Sequence, residues 1–141
     1  MANIIPDPFK SELLSGTHNF ANGGNSFKIA LYTDISGFST ASTAYSATNE
    51  VSSSGTNYTA TGQALDSQAV AVASNVAYVD FADEVFSSVT LSAVGAIIYN
   101  DTNSDKLVVV LDFGGTKTAT NGDFTIQFPA AGASTAILRI A

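Results

Sequence analysis

From Ser26 onward the apolar residues come in short runs, several of them with a period of two, and each run is bounded by turn chemistry. Phe27, Ile29 and Leu31 alternate with Lys28, Ala30 and Tyr32 after the turn Asn22-Gly23-Gly24-Asn25, the pattern of a strand with one face buried. Runs at Gln68 to Ala73 and Val76 to Phe81 flank Ser74-Asn75, a pair suited to a tight hairpin turn. Val89 to Asn100 follows, where Gly95 marks a bulge or a close backbone approach. Beyond the polar turn Asp101 to Asp105, Lys106 to Phe113 is apolar on both faces, as a central or interface strand would be. Gly114-Gly115 is expected to end that strand. Asn121-Gly122 is expected to turn the chain into another, Phe124 to Phe128, which Pro129 stops. Ala136 to Ile140 supplies a last short strand. Roughly seven or eight strands at this spacing, with no amphipathic helices between them, specify an all-β antiparallel β-sandwich, of which a jelly roll is one form.

Two segments depart from that pattern. Asp7 reads as the cap of a short helix, with Pro8 at its first position and Gly16 just past its end. A helix of about two turns is marginal alone, so its face of Phe9, Leu13 and Leu14 must dock on its own domain or on a neighbour. Residues 1–25 are accordingly an N-terminal arm with a short helix, and residues 26–141 a single β-sandwich domain, since 141 residues suffice for one core and not two. The second departure is Ser36 to Gly62, a tract of Ser, Thr, Ala, Asn and Gly anchored by Phe38, Tyr45, Val51 and Tyr58. A loop that long carries function or packs against another subunit.

Charge and composition remove whole classes of function. With 12 acidic residues against 5 basic, the formal charge of −7 opposes a sequence-independent grip on nucleic acid or on anionic lipid. Neither a nucleic-acid nor a membrane partner is expected. The longest apolar stretch, Leu107 to Leu111, is far short of the roughly 20 residues that cross a bilayer as a helix. Met1 to Ser15 lacks the basic start and apolar block of a secretory signal. Cysteine is absent, so no disulfide, thiolate metal site or thiol nucleophile exists. Charged residues make up only 12% of the chain, which suits a surface covered by neighbours better than that of a free enzyme.

No constellation meets the needs of catalysis, and no cofactor or metal is expected. His18 is the single histidine and has no identifiable triad or ligand partners. Asp80, Asp83 and Glu84 cluster at a strand end and read as solvated loop charges. Asp101-x-Asn103-x-Asp105 with Asp112 has calcium-loop spacing, but Lys106 stands where Gly permits the sharp turn and an apolar strand follows. Asp112-Phe113-Gly114 and Gly114-Gly115-Thr116-Lys117-Thr118 lack the companion motifs of a kinase or a phosphate loop. Tyr32, Tyr45, Tyr58, Tyr78 and Tyr99 read first as core or interface residues, and secondly as a glycan-binding platform.

The motifs Lys28-Ile29-Ala30-Leu31-Tyr32-Thr33, Asn49-Glu50-Val51, Tyr58-Thr59-Ala60, Val79-Asp80-Phe81, Gly95-Ala96-Ile97-Ile98-Tyr99-Asn100, Val110-Leu111-Asp112-Phe113-Gly114 and Phe124-Thr125-Ile126-Gln127-Phe128-Pro129, in this order, resemble a widespread family of small structural proteins of tailed-bacteriophage virions. The resemblance runs from Phe9 to Ala141. It implies a capsid decoration or cement protein, often a homotrimer. Such a protein is made in the host bacterial cytoplasm, is carried on the virion surface and contacts the major capsid protein. It supplies no catalytic residues. On this view Phe9, Leu13, Leu14, Phe38, Tyr45 and Tyr58 are candidate capsid or subunit contacts. Leu107, Val109, Leu111, Ile137, Leu138 and Ile140 build the core or the trimer seam. The alternatives are a tail or collar component, and an adhesin that binds host glycans through the tyrosines and the Ser36 to Gly62 loop.

Overall fold

The computed structural model describes residues 2–141. One helix, α1 (Asp7–Leu14), precedes seven strands: β1 (Phe27–Tyr32), β2 (Gln63–Ala64), β3 (Ala69–Ala73), β4 (Val76–Asp80), β5 (Glu84–Asn100), β6 (Lys106–Ile126) and β7 (Leu138–Ile140). All pairings are antiparallel, in a four-stranded sheet of order β2-β1-β5-β6 and a three-stranded sheet of order β3-β4-β7. The chain is thus an all-β, sandwich-like fold with a short N-terminal helix. The β3–β4 and β5–β6 pairs are hairpins, whereas β1–β5 and β4–β7 join strands distant in sequence, and the strands number seven, not the eight of a jelly roll.

The helix begins one residue earlier than its sequence suggests. Pro6 is the cap, Asp7 and Pro8 occupy the first turn, and the Asp7 N–H is taken by the Thr40 carbonyl at 2.7 Å. Asp7 therefore caps nothing with its side chain, which binds Lys10 Nζ at 2.7 Å instead. Gly16 ends the helix with φ +81, the left-handed conformation that glycine adopts without strain.

Ser74 and Asn75, with φ +50 and +63, make the two-residue turn between β3 and β4. The two other expected breaks do not reverse the chain. Gly114-Gly115 and Asn121-Gly122 lie inside β6, where the register against β5 jumps between Gly95↔Asp112 and Ala93↔Lys117, and again near Val89↔Gly122. Both dipeptides supply positive φ, at Gly114 (+76) and Asn121 (+46), and a bulge needs that as much as a turn does. Because β5 runs on without interruption opposite them, the ladder resumes after each bulge. What read as two strands is one.

The larger sheet is buried on both faces. One face packs Phe27, Ile29, Leu31, Phe86, Ile98 and Val108 against Phe9 of the helix, Val79 of β4 and Leu138 of β7. The other packs Tyr32, Ile97, Tyr99, Leu107 and Val110 against Ile35 and Phe38 of the long loop, with Ile4 alongside. The edge of β6 is covered as well: Ile4 and Val110 exchange backbone hydrogen bonds of 2.9 and 2.8 Å, and Leu107 N–H donates to the Thr43 carbonyl at 3.0 Å. Leu107 to Val110 is apolar on both faces because loop and arm cover an edge strand, not because it is central. The arm is sewn into the domain.

Candidate functional site

Most of the residues that sequence offered as outward contacts point inward. Phe9, Phe38 and Tyr58 are buried, and their expected role as capsid or subunit contacts gives way to a core role. Leu13 is partly buried against the same core, and Tyr45 is half-buried with its ring 5.0 Å from that of Tyr99. Leu14 alone of the set is at the surface, 90% exposed. Of the core-or-seam set, Leu107, Val109 and Leu138 are buried, and Leu111 and Ile137 pack partly on the core. Ile140 lies outside the core at 57% exposure.

The tyrosines are held by hydrogen bonds that tie the long loop to the sheet. Glu50 receives the hydroxyls of Tyr45 (2.5 Å) and Tyr58 (2.7 Å) and the N–H of Thr61 (2.7 Å). Leu31 N–H donates to the Tyr58 hydroxyl at 3.0 Å, Tyr32 donates to the Ser46 carbonyl at 2.6 Å, and Tyr99 donates to the Thr61 carbonyl at 2.5 Å. Burial first, and for Tyr32, Tyr45 and Tyr58 the nearby Glu50 charge, push these hydroxyls above the usual phenol range, Tyr99 to about 12. They remain donors at any physiological pH. Stacking sugars on these rings would require pulling the loop away.

His18 sits at the base of the helix with its side chain fully buried. Its Nδ1 accepts from Asn100 Nδ2 at 3.0 Å and its Nε2 donates to Glu12 Oε2 at 2.9 Å, which sets the tautomer. Lys106 Nζ donates to Glu12 Oε1 at 3.1 Å, and Asn103 and Asn25 complete the cluster around Asn100. This group fastens α1 to the β5–β6 turn, with His18 at its buried centre and Lys106 at its partly exposed rim. For Glu12, desolvation is the largest single influence and raises its pKa. The hydrogen bonds and charges of His18 and Lys106 together outweigh it and hold the carboxyl below its ordinary value. The stabilisation is therefore complete above the unfolded carboxyl pKa and is lost as pH falls through the folded one. Glu12→Gln is expected to cost about 1–2 kcal/mol at neutral pH. In thermal melts across pH, the gap between the two proteins is expected to close at acid pH.

The acidic residues that drew attention do not converge. Asp83 accepts the Phe128 N–H at 2.8 Å, Glu84 is bound by Gln63, and Asp112 accepts the Gly114 N–H at 2.8 Å. No group of three or more His, Asp or Glu among the described residues has a metal-binding arrangement.

What the surface does offer is apolar. A groove of about 830 Å³ runs between α1 and the inner face of the small sheet, lined by Phe9, Leu13, Leu14, Val79, Leu138 and Ile140. Val70, 52% exposed, lies on the same groove, and Val72, 71% exposed, stands next along β3. Sequence reading passed over Val70 and Val72. The available signal was that Ala69–Ala73 carries no polar residue on either face, which fits a fully buried strand or one awaiting a partner. Leaving a leucine in water forgoes about 1.5–3 kcal/mol relative to full burial, so a contiguous patch of this kind marks an interaction surface. Comparison with protein-family models, with curated proteins and with solved structures returns no match for this chain.

Proposed function

We propose that this chain is a structural protein of a tailed-bacteriophage virion, and that it decorates or cements the outer surface of the head. The observation that carries the reading is the exposed apolar patch of Leu14, Val70 and Ile140. Among the described residues no buried side-chain nitrogen or oxygen lacks a hydrogen-bond partner. The sequence resemblance and the low charge support the same reading. A decoration protein binds by shape, and many weak contacts repeated over a symmetric lattice add up to firm attachment. The partners are the major capsid protein and further copies of the chain, with a homotrimer as the assembly the resemblance favours. The protein is then made in the host bacterial cytoplasm and resides on the capsid.

The test is to add the purified protein to capsids lacking it and image them by electron cryomicroscopy. Ordered density at symmetry-related shell positions is expected. Density confined to the tail vertex would replace this reading with a tail or collar component. Lost host adsorption by virions without the protein, with bare shells, would favour an adhesin. Leu14→Glu is expected to lower shell occupancy at least tenfold, equivalent to about 1.4 kcal/mol, while its melting temperature stays that of the unaltered chain because Leu14 is already in water.

A further inference from the structure

The two sheets have four edges, and three of them are protected. β2 is two residues long, and β7 is three residues long and carries Arg139. β6 is covered by Ile4 and by the Ala44–Lys106 bridge over its first part, then bulges and carries Lys117. Short length, covering, bulges and a charged residue are the devices by which proteins keep a sheet edge from pairing with another chain. β3 has none of them. It is five residues long, Ala-Val-Ala-Val-Ala, uncharged, free of proline and bulges, and exposed at every position.

Hairpin geometry fixes which of its backbone groups are free. A two-residue turn at Ser74-Asn75 makes Ala73 and Val76 a hydrogen-bonded pair, and Ala71–Tyr78 and Ala69–Asp80 follow in the same register. Val70 and Val72 therefore turn their N–H and C=O groups away from β4. Among the described residues β3 pairs with β4 alone. Two donors and two acceptors thus line the open edge.

We propose that β3 is a self-pairing edge, by which two copies of this chain join antiparallel across a twofold axis and merge their three-stranded sheets into one of six strands. The sequence reads the same in both directions about Ala71, so in a twofold antiparallel contact centred there valine faces valine and alanine faces alanine, with no mismatch of size or charge. With Ala71 opposite Ala71 of the second copy, Val70 lies opposite Val72 of the second copy, and each such pair exchanges two hydrogen bonds. All four free groups of each chain are then satisfied. The valines also continue an existing apolar row, since Val70 aligns with Val79 and Leu138, and Val72 with Ala77 and Ile140. The strand is neutral in a chain of charge −7, so two copies meet there without opposing like charges. The seam is small, so association is weak in free solution and strengthened where copies are held side by side. This inference stands apart from the virion reading and does not depend on it.

The test uses the absence of native cysteine. In this register Ala71 and its counterpart form a non-hydrogen-bonded pair with Cα atoms about 4.5 Å apart, within disulfide range. Two copies of position 72 lie about 8–9 Å apart, beyond it. Mild oxidation of Ala71→Cys is expected to yield covalent dimer, and that of Val72→Cys little or none. In sedimentation velocity the unaltered chain is expected to shift with rising concentration towards a species of twice its starting mass. Val72→Lys is expected to raise the concentration at which this occurs at least tenfold with no change in melting temperature. A mass that does not rise with concentration up to the millimolar range, equal cross-linking at both positions, or association unaffected by Val72→Lys would each overturn the proposal. Shell binding measured on the same variants reports separately on decoration.

Discussion

Val109→Asp is expected to leave little folded protein at neutral pH. Val109 is 2% exposed and pairs with Ile98 across β5 and β6, within the cluster that contains Phe27, Phe86 and Val108. A carboxylate placed at this 2% exposed position gives up nearly all of its water. An uncompensated buried charge costs about 3–5 kcal/mol, and a domain of this size has about 5–15 kcal/mol of stability in all. The same position offers a control, because Val109→Thr keeps the shape and buries only a hydroxyl, at about 1–3 kcal/mol. Circular dichroism and thermal melts of both variants are expected to show the aspartate chain unfolded and the threonine chain folded with a lowered midpoint. Lowering the pH removes the charge and is expected to recover part of the aspartate variant's structure. A soluble aspartate variant with unchanged melting would mean that this face of β6 is not packed.

Period-two alternation was enough to place β1, and apolar runs bounded by turn residues were enough to place the β3–β4 hairpin and the cores of β5 and β6, because those signals are local. Ser74-Asn75 was legible as a turn since two positive φ values in succession between short strands leave the chain no choice but to reverse. Gly114-Gly115 and Asn121-Gly122 carry the same local chemistry, and their outcome was decided by β5, whose unbroken length opposite them holds β6 in the ladder. A bulge and a turn differ in what lies across the sheet. No window of the sequence contains that.

The surface was less legible than the fold for a related reason. Leu14 reads with Phe9 and Leu13 as one docking face, and only the folded helix separates it as the exposed one, while the inward fate of Phe38, Tyr45 and Tyr58 depended on where a Ser- and Thr-rich tract would settle. Phe38 and Tyr45 fasten it over the second face of the sheet, Tyr58 packs into the core of the first, and Glu50 gathers the two tyrosine hydroxyls. The tract that looked like a reaching loop is a lid on the core. Val70 and Val72 were missed by the converse error: an uninterrupted apolar strand is the pattern of a buried one, and exposure on both faces appears only once β3 is known to be a sheet edge.

That the lid is a fixed layer can be tested at its glycines. Gly55 and Gly62 both lie in the tract with positive φ, +71 and +82. They differ in surroundings. A Cβ on Gly55 would meet nothing within 4 Å, whereas one on Gly62 would fall 1.9 Å from the Ile29 carbonyl oxygen and 2.7 Å from its carbon. Ala at either site bears the left-handed backbone penalty, about 1–2 kcal/mol. At position 62 it must also force β2 off β1, because Gln63 is already paired with Ile29 and β1 is buried. Overpacking against backbone adds about 1–3 kcal/mol or more. Gly62→Ala is therefore expected to lower the melting temperature by about 10 °C or more, and Gly55→Ala by only a few degrees. Near-equal losses at the two positions would mean that the tract yields where it meets β1. A large excess at Gly62 would mean that it is held there as rigidly as the strands beneath it, which a purely mobile reaching loop would not be.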